Sequence, residues 1–404
     1  MVGCCFLVMS LALITTTMSF FVQPVCDALG FERGAFTIYY SLAALVGVVA
    51  MPIWGRIIPK IGIKMSTAIA GAGGAVFMFL FSLCKSLVAF YIVGLAMGIM
   101  VAGMTLLPAS ILINTWFAEK RGLAMGIAMA CSGLGGAIFS PIIAGVIASS
   151  GWEAGYMLSG GLMFVLTVPV ALFVIKARPS ELGLRPYGAK DAETDGGSAA
   201  AEGGPKEVLG VPSKIATRSA SFFLLLGAVV LMNVLASGAQ HLPAHLVANG
   251  IDATAAASVI SIYAFVVIGS KIVLGIVNDK FGSVAAIAAT LSLLAASFVV
   301  FSFATNYAIA AVAAVLFGLG VAVVTVMPPL LTGQMYGQRD YSAIYAIVGA
   351  IASLGLAVGT PIYGIVYDKL GSYDIAFYGC AVAAAVAFAM LVAGLKSSKR
   401  LQAT

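Results

Sequence analysis

The feature that most constrains this chain is a series of apolar stretches, each about 20 residues or longer, that fills nearly all of its 404 residues. A helix that spans a bilayer needs about 20 mostly apolar residues. Apolar residues make up 62% of the sequence and charged residues only 9%, whereas a soluble globular domain carries about 25% charged residues. A water-compatible surface is therefore excluded, and the pattern predicts an all-α membrane protein with the lipid bilayer as its solvent.

Gly, Pro and charged residues divide the apolar stretches into twelve predicted transmembrane spans. The spans lie near residues 3–26, 34–59, 65–84, 88–116, 122–149, 154–177, 219–244, 254–277, 284–304, 308–335, 342–366 and 374–396. The stretch that starts at Met1 lacks a basic segment and is too long for a cleavable signal peptide, so we interpret it as the first span. Gly is frequent, at 46 residues, which suits close helix packing in a bilayer.

The remaining residue types argue against several function classes. The six cysteines are scattered and show no C-x-x-C or His-rich spacing, so neither a metal site nor a disulfide framework is predicted. The predicted spans contain no nucleophile–base pair and no metal-ligating cluster, which argues against an intramembrane enzyme. No cofactor and no nucleic-acid partner are expected, and a monomer is expected to be functional.

The basic residues set the predicted orientation. Arg33, Lys85 and Lys369 lie in the connections on one side of the membrane, and Lys271 lies inside a span. The other seventeen of the 21 Lys and Arg residues lie on the side of the two termini. Because segments rich in Lys and Arg stay in the cytoplasm, both termini are predicted to be cytoplasmic in a multi-pass protein of the cytoplasmic (inner) membrane.

The longest interruption, residues 178–218, separates two groups of six spans. Its centre, DAETDGGSAAAEGGP, has no apolar periodicity and cannot bury a core, so it is predicted to be a flexible cytoplasmic linker. The predicted organisation is an N-terminal six-helix half at 1–177, the linker at 178–218 and a C-terminal six-helix half at 219–404.

The two halves repeat at an offset of 220 residues. Glycines and prolines coincide at this offset in the same order through both halves: Gly30 with Gly250, Gly55 with Gly275, Gly62 with Gly282, Pro108 with Pro328, Pro141 with Pro361 and Gly151 with Gly371. Because each half has six spans, both halves start on the same side and the repeats are parallel. Two parallel six-helix halves are the arrangement of the major facilitator transporters, and this is the expected fold.

One pair of matching loops carries a charged motif. The sequence reads GRIIPKIG from Gly55, between spans 2 and 3, and GIVNDKFG from Gly275, between spans 8 and 9. Both resemble the G-x-x-x-D-R/K-x-G loop of the major facilitator superfamily, whose acid pairs with basic residues when the inner side is closed. The second copy has Asp279, but the first has Pro59 at the acidic position, so a tight turn explains that copy equally well. The gating residues that the resemblance implies are Gly55, Arg56, Gly62, Asp279, Lys280, Gly282, Lys120 and Arg121.

The loop between spans 4 and 5 carries a more specific sequence. It reads NTWFAEKRGLAMGIAMACSG from Asn114. This stretch resembles the signature of the monocarboxylate transporter family, which includes the oxalate–formate antiporter-like branch: an aromatic pair, basic residues, and then L-A-x-G-x-A-x-A-G-S. Cys131 replaces the usual Gly, and the acidic, Gly- and Trp-rich run that opens span 1 in the family is absent from the sequence. The resemblance extends over essentially all twelve spans.

Lys271 is the basic residue inside a predicted span, four residues before Gly275. A charged side chain in a bilayer costs at least about 2.5–3.5 kcal/mol, so such residues usually face a partner or a wet cavity. One interpretation is that Lys271 snorkels toward the helix end at Asn278. The other is that it binds an anionic substrate. The resemblance favours binding, because monocarboxylate and oxalate transporters carry at this position an Arg that binds the substrate carboxylate.

Further polar residues complete the predicted substrate site. The set is Lys271, Tyr263, His241, Gln240, Asn233 and Thr17. Each residue other than Lys271 can instead bond within its own helix or to a neighbour. Proton-coupled members of the family carry an Asp one turn before the Arg, and Val267 stands there, so a coupled proton and a counter-anion both stay open.

The sequence therefore predicts a secondary transporter that moves a small, monocarboxylate-like organic anion across the cytoplasmic membrane by alternating access. Lys271 is predicted to hold the substrate carboxylate. The alternative is an efflux carrier for drug-like or neutral metabolites. A membrane sensor without transport is a third hypothesis, and the lack of a sizeable soluble domain in the sequence argues against it.

Overall fold

A computed structural model describes residues 1–189 and 210–402 of the chain. Within these ranges, eleven helices are long and apolar enough to cross a membrane. The fifth, Arg121–Val174, contains Gly151 with non-helical backbone angles (φ 87°, ψ 168°) and is therefore two spans joined at a turn. The described residues thus contain the twelve predicted spans, and the all-α membrane fold is confirmed.

We number the spans α1 to α12 in chain order. Their bounds are Val2–Leu29 (α1), Arg33–Ile61 (α2), Ile63–Phe81 (α3), Leu87–Trp116 (α4), 121–150 (α5), 152–174 (α6), Ala220–Gln240 (α7), Ala253–Phe281 (α8), Ser283–Ser302 (α9), Tyr307–Tyr336 (α10), Tyr341–Leu370 (α11) and Asp374–Gln402 (α12). The last two helices continue past their predicted ends at 366 and 396. A helix satisfies its backbone hydrogen bonds internally, so it can extend beyond the point where its side chains turn polar.

The repeat at 220 residues is also present in the backbone. Three pairs of turn glycines have positive φ at this offset: Gly30 and Gly250, Gly62 and Gly282, Gly151 and Gly371. This left-handed region strongly favours glycine. Ser86 and Asn306, also 220 residues apart, cap α4 and α10 by accepting hydrogen bonds from Ala89 N and Ile309 N. The two halves therefore share turn geometry as well as residue type.

The first helix of each half is interrupted at a matching place. α1 breaks between Thr15 and Ser19. α7 tightens into a 3₁₀ turn at Gly238–Gln240 and is followed by a short helix, Leu242–Ala248. The spans predicted to be continuous at 3–26 and 219–244 are therefore broken. In the second case Pro243 contributes, because it has no backbone N–H to donate.

Both chain ends lie at the same end of the bundle, which we call the terminal face. Met1 lies beside Trp116 and Lys176, at the ends of α4 and α6. Near the end of α12, Gly394 faces Met335 of α10. The loops α2–α3, α4–α5, α8–α9 and α10–α11 lie at the same end. The location of this face in the cytoplasm stays a prediction.

The segment between the halves is described only at its two ends. Residues 190–209, the centre of the predicted flexible linker, lie outside the described residues. On one side, Tyr187 N donates to Trp116 O at 2.8 Å and Ala118 N donates to Tyr187 O at 2.8 Å. On the other, Val211 N donates to Tyr336 O at 2.8 Å. The two flanks are therefore bound to loops that match in the 220-residue repeat.

Candidate functional site

Two helix crossings carry the contact between the halves, α5 against α8 and α2 against α11. In the first, a Cβ added to Gly122 would meet the carbonyl oxygen of Gly275. In the second, a Cβ added to Gly55 would meet the carbonyl oxygen of Ser342 at 2.7 Å. Glycine is what lets two helix backbones approach this closely. The halves are therefore tightly packed near the terminal face.

Lys271 is buried in the α5–α8 crossing, with 7% of its surface exposed. Its Nζ donates to Met129 O at 3.1 Å and to Ser132 Oγ at 3.2 Å, both on α5. Its own carbonyl lies against Gly126, so the side chain runs from the level of Gly126 to that of Ser132. Since α5 starts at the terminal face, the ammonium points away from that face. This direction is opposite to snorkelling toward Asn278.

The ammonium of Lys271 has only neutral partners among the described residues. The two salt bridges found in those ranges join other residues, Lys64 with Glu181 and Lys85 with Glu153. A buried charge is costly unless a counter-charge accompanies it. The oxygens of α5 give Nζ hydrogen bonds but no compensating charge, so the crossing is chemically suited to receive an anionic group.

The α5 neighbours of Lys271 are functional candidates that the sequence did not single out. Cys131, next to Ser132, donates its thiol to Ile127 O at 3.3 Å. Spacing along a single chain does not show which helices cross. The only available signal was the family-like stretch from Asn114, which contains both Cys131 and Ser132.

A cavity of about 230 Å³ lies among α1, α2, α4 and α11. Its walls are mainly apolar, and its polar lining residues are Thr15, Tyr40, Thr105 and Ser353. Met51 also lines it, and the end of that side chain lies against Gly349 of α11. The cavity therefore opens where the α2–α11 contact ends, and it is separate from the α5–α8 contact that holds Lys271.

Two predicted substrate residues bond within their own helices. Asn233 Nδ2 donates to Val229 O at 2.9 Å, and Thr17 Oγ1 donates to Leu13 O at 3.0 Å. Both side chains are buried. In the part of the chain that the structure describes, no hydrogen bond joins either residue to Lys271. Asn233 and Thr17 therefore follow the alternative interpretation, in which the side chain bonds within its own helix and not to the substrate.

Tyr263 and Gln240 also lie apart from the ammonium. Tyr263 is roughly two helical turns from Lys271 along α8. It packs edge-on against Phe317, with the ring centroids 5.2 Å apart. Gln240 ends the 3₁₀ turn of α7 and is exposed. The structure therefore places Tyr263 on the helix of Lys271 but does not gather the predicted residues into one cluster.

His241 joins α7 to α11. Its Nε2 bonds to Thr360 O at 2.9 Å, and its Nδ1 lies 3.4 Å from Tyr373 Oη. The ring also stacks on Tyr363 at a centroid distance of 5.5 Å. These contacts lie within the C-terminal half, toward the face opposite the termini. They engage both ring nitrogens and one ring face of the half-buried His241.

Asp279 caps the start of α5. Its two carboxylate oxygens accept hydrogen bonds from Gly122 N and Leu123 N, each at 2.7 Å. The first N–H groups of a helix lack partners inside the helix and carry the positive end of its dipole, so a carboxylate there is favourable. Because Asp279 belongs to α8, this cap joins the two halves at the terminal face.

The basic residues predicted for the gate have partners other than Asp279. Three of them are engaged locally: Lys120 Nζ lies 5.9 Å from the ring centroid of Tyr187, Lys280 Nζ lies 5.3 Å from that of Phe281, and Arg121 Nε donates to Phe117 O at 2.5 Å. No ion pair between these residues and Asp279 occurs in the described ranges. The acid pairs with helix N–H groups where the resemblance implied basic side chains.

The matching loop of the first half has the same backbone but no acid. Gly62 turns with φ 83°, as Gly282 does with φ 84°. Gly55 packs on α11, and Arg56 is exposed. Pro59 stands where Asp279 stands in the second half. The two crossings therefore differ in chemistry at the terminal face, where the first half has a proline in place of the acid.

Known proteins are similar to this chain in sequence and in fold. The oxalate:formate antiporter of Oxalobacter formigenes is 32% identical over 160 residues, 39% of this chain and 37% of that protein. Monocarboxylate transporter 12 of Rattus norvegicus is 25% identical over 318 residues, 74% of this chain and 64% of that protein. The chain thus spans less than two thirds of the length of either relative.

The fold comparison covers almost the whole molecule. The structure titled "Crystal structure of a Major Facilitator Superfamily (MFS) transporter, FucP, in the outward conformation" matches with a TM-score of 0.70, 16% identity and 97% coverage of both chains. The sequence profile of the Major Facilitator Superfamily matches residues 4–249 and 241–403. Together these matches span both halves and every helix described above, and the chain belongs to the Major Facilitator Superfamily.

Proposed function

We propose that this protein is a secondary transporter that moves a small, monocarboxylate-like organic anion across the cytoplasmic membrane by alternating access. The observation that carries the proposal is the buried ammonium of Lys271, which bonds only to neutral oxygens of α5. A substrate carboxylate supplies the missing charge. Lys offers a point charge with three N–H donors, so it binds a carboxylate without imposing the fork geometry of Arg.

Ser132 is the second group placed to contact the substrate. Its Oγ accepts from Lys271 Nζ and donates to Met129 O at 2.8 Å. When a carboxylate binds at Nζ, the hydroxyl can turn its proton to a carboxylate oxygen and keep its oxygen on the ammonium. Charge-assisted hydrogen bonds of this kind contribute about 1.5–3 kcal/mol each.

The charge of the site favours a substrate with one carboxylate. Lys271 is the basic residue in the interior of the spans, and the acids of the spans, such as Asp27, Asp279 and Asp368, lie near helix ends. A monocarboxylate bound to Lys271 makes a neutral pair. A dicarboxylate leaves one negative charge without a partner in the bilayer, where it costs several kcal/mol.

The same charge balance favours anion exchange over uniport. When the halves rock apart without substrate, Lys271 loses its α5 oxygens and remains an unpaired charge in a low-dielectric site. With substrate bound, the pair is neutral. The loaded carrier is therefore expected to reorient faster than the free carrier, which gives exchange of external for internal anion. The gate for this motion is the Asp279 cap, which breaks when α5 separates from α8 at the terminal face.

The direct test is uptake of radiolabelled monocarboxylates into proteoliposomes that contain the purified protein. We expect Lys271→Ala to lower uptake about 10- to 100-fold and Lys271→Arg to retain part of it. The matched control is Lys369→Ala, which removes an exposed cation at the end of α11 opposite the terminal face. Carboxylate uptake by Lys271→Ala at the wild-type rate would show that the substrate site is assigned wrongly.

Exchange is measured in the same vesicles. Preloading with unlabelled monocarboxylate should raise the initial uptake of label several-fold, and oxalate or succinate should compete weakly. Equal uptake with and without internal anion would contradict the exchange mode while leaving the substrate class in place. Net uptake that follows an imposed proton gradient would instead indicate proton coupling.

The second candidate function is an efflux carrier for drug-like or neutral metabolites. The apolar cavity of about 230 Å³ among α1, α2, α4 and α11 is the feature that favours it. This candidate predicts export of hydrophobic compounds that does not depend on Lys271. Export of such compounds by Lys271→Ala, without carboxylate transport by the wild type, would select it.

A further inference from the structure

A short segment after α6, residues 186–189, is bonded to the loop between α4 and α5. Tyr187 N donates to Trp116 O at 2.8 Å, while Tyr187 O accepts from Ala118 N at 2.8 Å and from Glu119 N at 3.1 Å. One residue of the segment therefore makes three backbone hydrogen bonds to the end of α4 and the loop that follows it. We call residues 186–189 the strap.

The side chains of the strap also fit against this loop. The ring centroid of Tyr187 lies 5.9 Å from that of Phe117 and 5.9 Å from Lys120 Nζ. Gly188 has φ 78°, and a Cβ added there would overlap the side chain of Glu119. The strap is therefore matched to the loop by shape as well as by hydrogen bonds.

The loop ends in a strained residue, Lys120. Its backbone is left-handed, with φ 52° and ψ 31°, and within residues 1–189 and 210–402 it is the one non-glycine residue with positive φ. A residue with a side chain adopts this conformation at a cost, and such a conformation persists where the surrounding structure fixes it. Ala118, Glu119 and Lys120 are exposed. Hydrogen bonds and not burial therefore fix this backbone, and the strap accepts two of them.

The turn at Lys120 sets the direction in which α5 starts. The next backbone amides, Gly122 N and Leu123 N, donate to the carboxylate of Asp279 on α8, each at 2.7 Å. Because the donors and the acceptor belong to different halves, both bonds depend on the orientation of the first turn of α5. The strap, the left-handed turn and the Asp279 cap therefore form a continuous series of contacts.

The matching loop of the C-terminal half lacks this strain. Asp340, the repeat partner of Lys120, has φ −118°, and the positive φ of that loop falls on Gly337, with φ 75°. Glycine adopts a positive φ without the steric cost of a Cβ. Of the two loops, the one between α4 and α5 alone combines a strained residue with a cap that joins the halves.

We propose that docking of the strap on the α4–α5 loop holds Lys120 in its left-handed turn and thereby favours the conformation that is closed at the terminal face. When the strap detaches, Lys120 relaxes, and Gly122 N and Leu123 N turn away from Asp279. Docking and closure are coupled, so each stabilises the other. The inference rests on the alternating access proposed above and not on the identity of the substrate.

The test is the labelling rate of single cysteines by a maleimide that reaches both faces of the full chain in nanodiscs, with the native cysteines changed to serine. Leu123→Cys reports on the terminal face. Ser261→Cys reports on the opposite face, because Ser261 is exposed and lies about two turns beyond Ile268, which packs against Gly133 of α5. A shift between the two conformations changes the two rates in opposite directions, whereas loss of folding raises both.

Gly188→Ala is the main variant, and Gly183→Ala is its matched control. Both glycines have positive φ, but a Cβ at Gly183 meets no atom within 4 Å. The control therefore carries the backbone cost without the overlap with Glu119. We expect Gly188→Ala to raise labelling at position 123 about 5-fold or more and to lower labelling at position 261. Gly183→Ala should change either rate by less than about 2-fold.

The ring of Tyr187 gives a second and milder test. Tyr187→Ala keeps the three backbone hydrogen bonds but removes the ring from Phe117 and Lys120, so labelling at position 123 should rise about 2- to 5-fold. Tyr187→Phe keeps the ring and should label as the wild type does. Equal rates for Tyr187→Ala and Tyr187→Phe would count against the proposal.

The outcomes separate the strap from the transport mechanism. A higher rate at position 123 with a lower rate at position 261, in Gly188→Ala but not in Gly183→Ala, supports the proposal. Equal rates in these two variants overturn it, and so does a rise at both positions in Gly188→Ala. If Asp279→Asn shows the opposite changes and Gly188→Ala does not, alternating access stands and the strap has no part in it. If the labelling changes are as expected while carboxylate uptake is absent, the substrate assignment fails and the role of the strap stands.

Discussion

The two crossings between the halves have the same backbone and different chemistry. In the α5–α8 crossing, Lys271 reaches Met129; in the α2–α11 crossing, its repeat partner Met51 reaches Gly349, the repeat partner of Met129. At the terminal face, the first crossing ends in Asp279 and the second in Pro59. One crossing therefore carries a buried cation and a carboxylate cap, and the other carries neither.

This difference shows how a symmetric scaffold can hold an asymmetric site. In each crossing a glycine sets the helix distance: Gly275 against Gly122 in one crossing, and Gly55 against Ser342 in the other. Close approach is thus a property of the repeat. Charge is a property of one copy, because a second buried cation would add the same desolvation cost without a second substrate charge to offset it.

The largest expected effect comes from making the charged crossing resemble the apolar one. Lys271→Met gives α8 the side chain that α2 has at Met51, with a similar length and no charge. We expect carboxylate uptake to fall about 10- to 100-fold, as for Lys271→Ala, since the substrate loses its counter-charge. The unfolding midpoint should rise at the same time, because a buried charge costing about 2.5–3.5 kcal/mol is removed.

The two readouts of Lys271→Met separate function from folding. Uptake in proteoliposomes and thermal unfolding of the same preparation are measured side by side, with Met51→Leu as the apolar control for a change at the other crossing. A fall in both uptake and midpoint would indicate that Lys271 mainly stabilises the fold. Loss of uptake with a higher midpoint is the outcome that a binding role requires.

The next effect in size concerns the cap. Asp279→Asn keeps the shape of the side chain but removes the charge that binds Gly122 N and Leu123 N. Asn offers one acceptor oxygen for these two N–H groups and carries no charge, so at least one charge-assisted hydrogen bond, worth about 1.5–3 kcal/mol, is lost. This cost falls on the conformation closed at the terminal face. We expect faster labelling of a cysteine placed at Leu123, in a chain whose native cysteines are serine.

Pro59→Ala is the matched control for the cap, because it alters the same loop position of the other half without touching a carboxylate. It should leave the labelling rate at position 123 unchanged. If Asp279→Asn labels no faster than the parent, the cap does not hold the terminal face closed, and the gate must be sought in the helix contacts.

A further effect, of opposite sign at the two crossings, is expected when a glycine of each crossing is replaced by alanine. The new Cβ of Gly126→Ala would meet the backbone carbonyl of Lys271, which cannot move aside, so we expect a loss of about 2 kcal/mol. The Cβ of Gly349→Ala would meet only the flexible end of Met51. There the helix propensity of alanine, about 1 kcal/mol better than glycine, should dominate.

Chemical or thermal unfolding of the two alanine variants checks this contrast. Stabilisation by Gly349→Ala together with destabilisation by Gly126→Ala would show that the α5–α8 crossing is the more tightly packed one. Equal losses in the free energy of unfolding would mean that both crossings are packed equally tightly. The two crossings would then differ only in charge.

The architecture could be predicted from the sequence because every helix that spans a bilayer needs about 20 mostly apolar residues. The order of residues predicts the twelve apolar stretches, the glycine turns such as Gly62 and Gly282, and a charged residue, Lys271, inside span 8. It does not predict which helices cross each other. Ser132 and Lys271 are far apart in sequence and share no periodic pattern, and the intrahelical bonds of Asn233 and Thr17 became visible only when the helices were placed together.

The smallest effect tests the one neutral side chain that contacts the ammonium. Ser132→Ala removes the hydroxyl that accepts from Lys271 Nζ, while the bond to Met129 O remains. On binding, the hydroxyl exchanges Met129 O for a carboxylate oxygen, so its net contribution is smaller than the contribution of about 1.5–3 kcal/mol that a full hydrogen bond to a charged group makes. We therefore expect the KM for a monocarboxylate to rise about 2- to 10-fold with little change in maximal rate. Initial uptake rates over a range of substrate concentrations measure both constants. Ser132→Thr keeps the hydroxyl and should restore most of the affinity, whereas a lower maximal rate with an unchanged KM would place Ser132 in the motion of α5 against α8 and not in the substrate site.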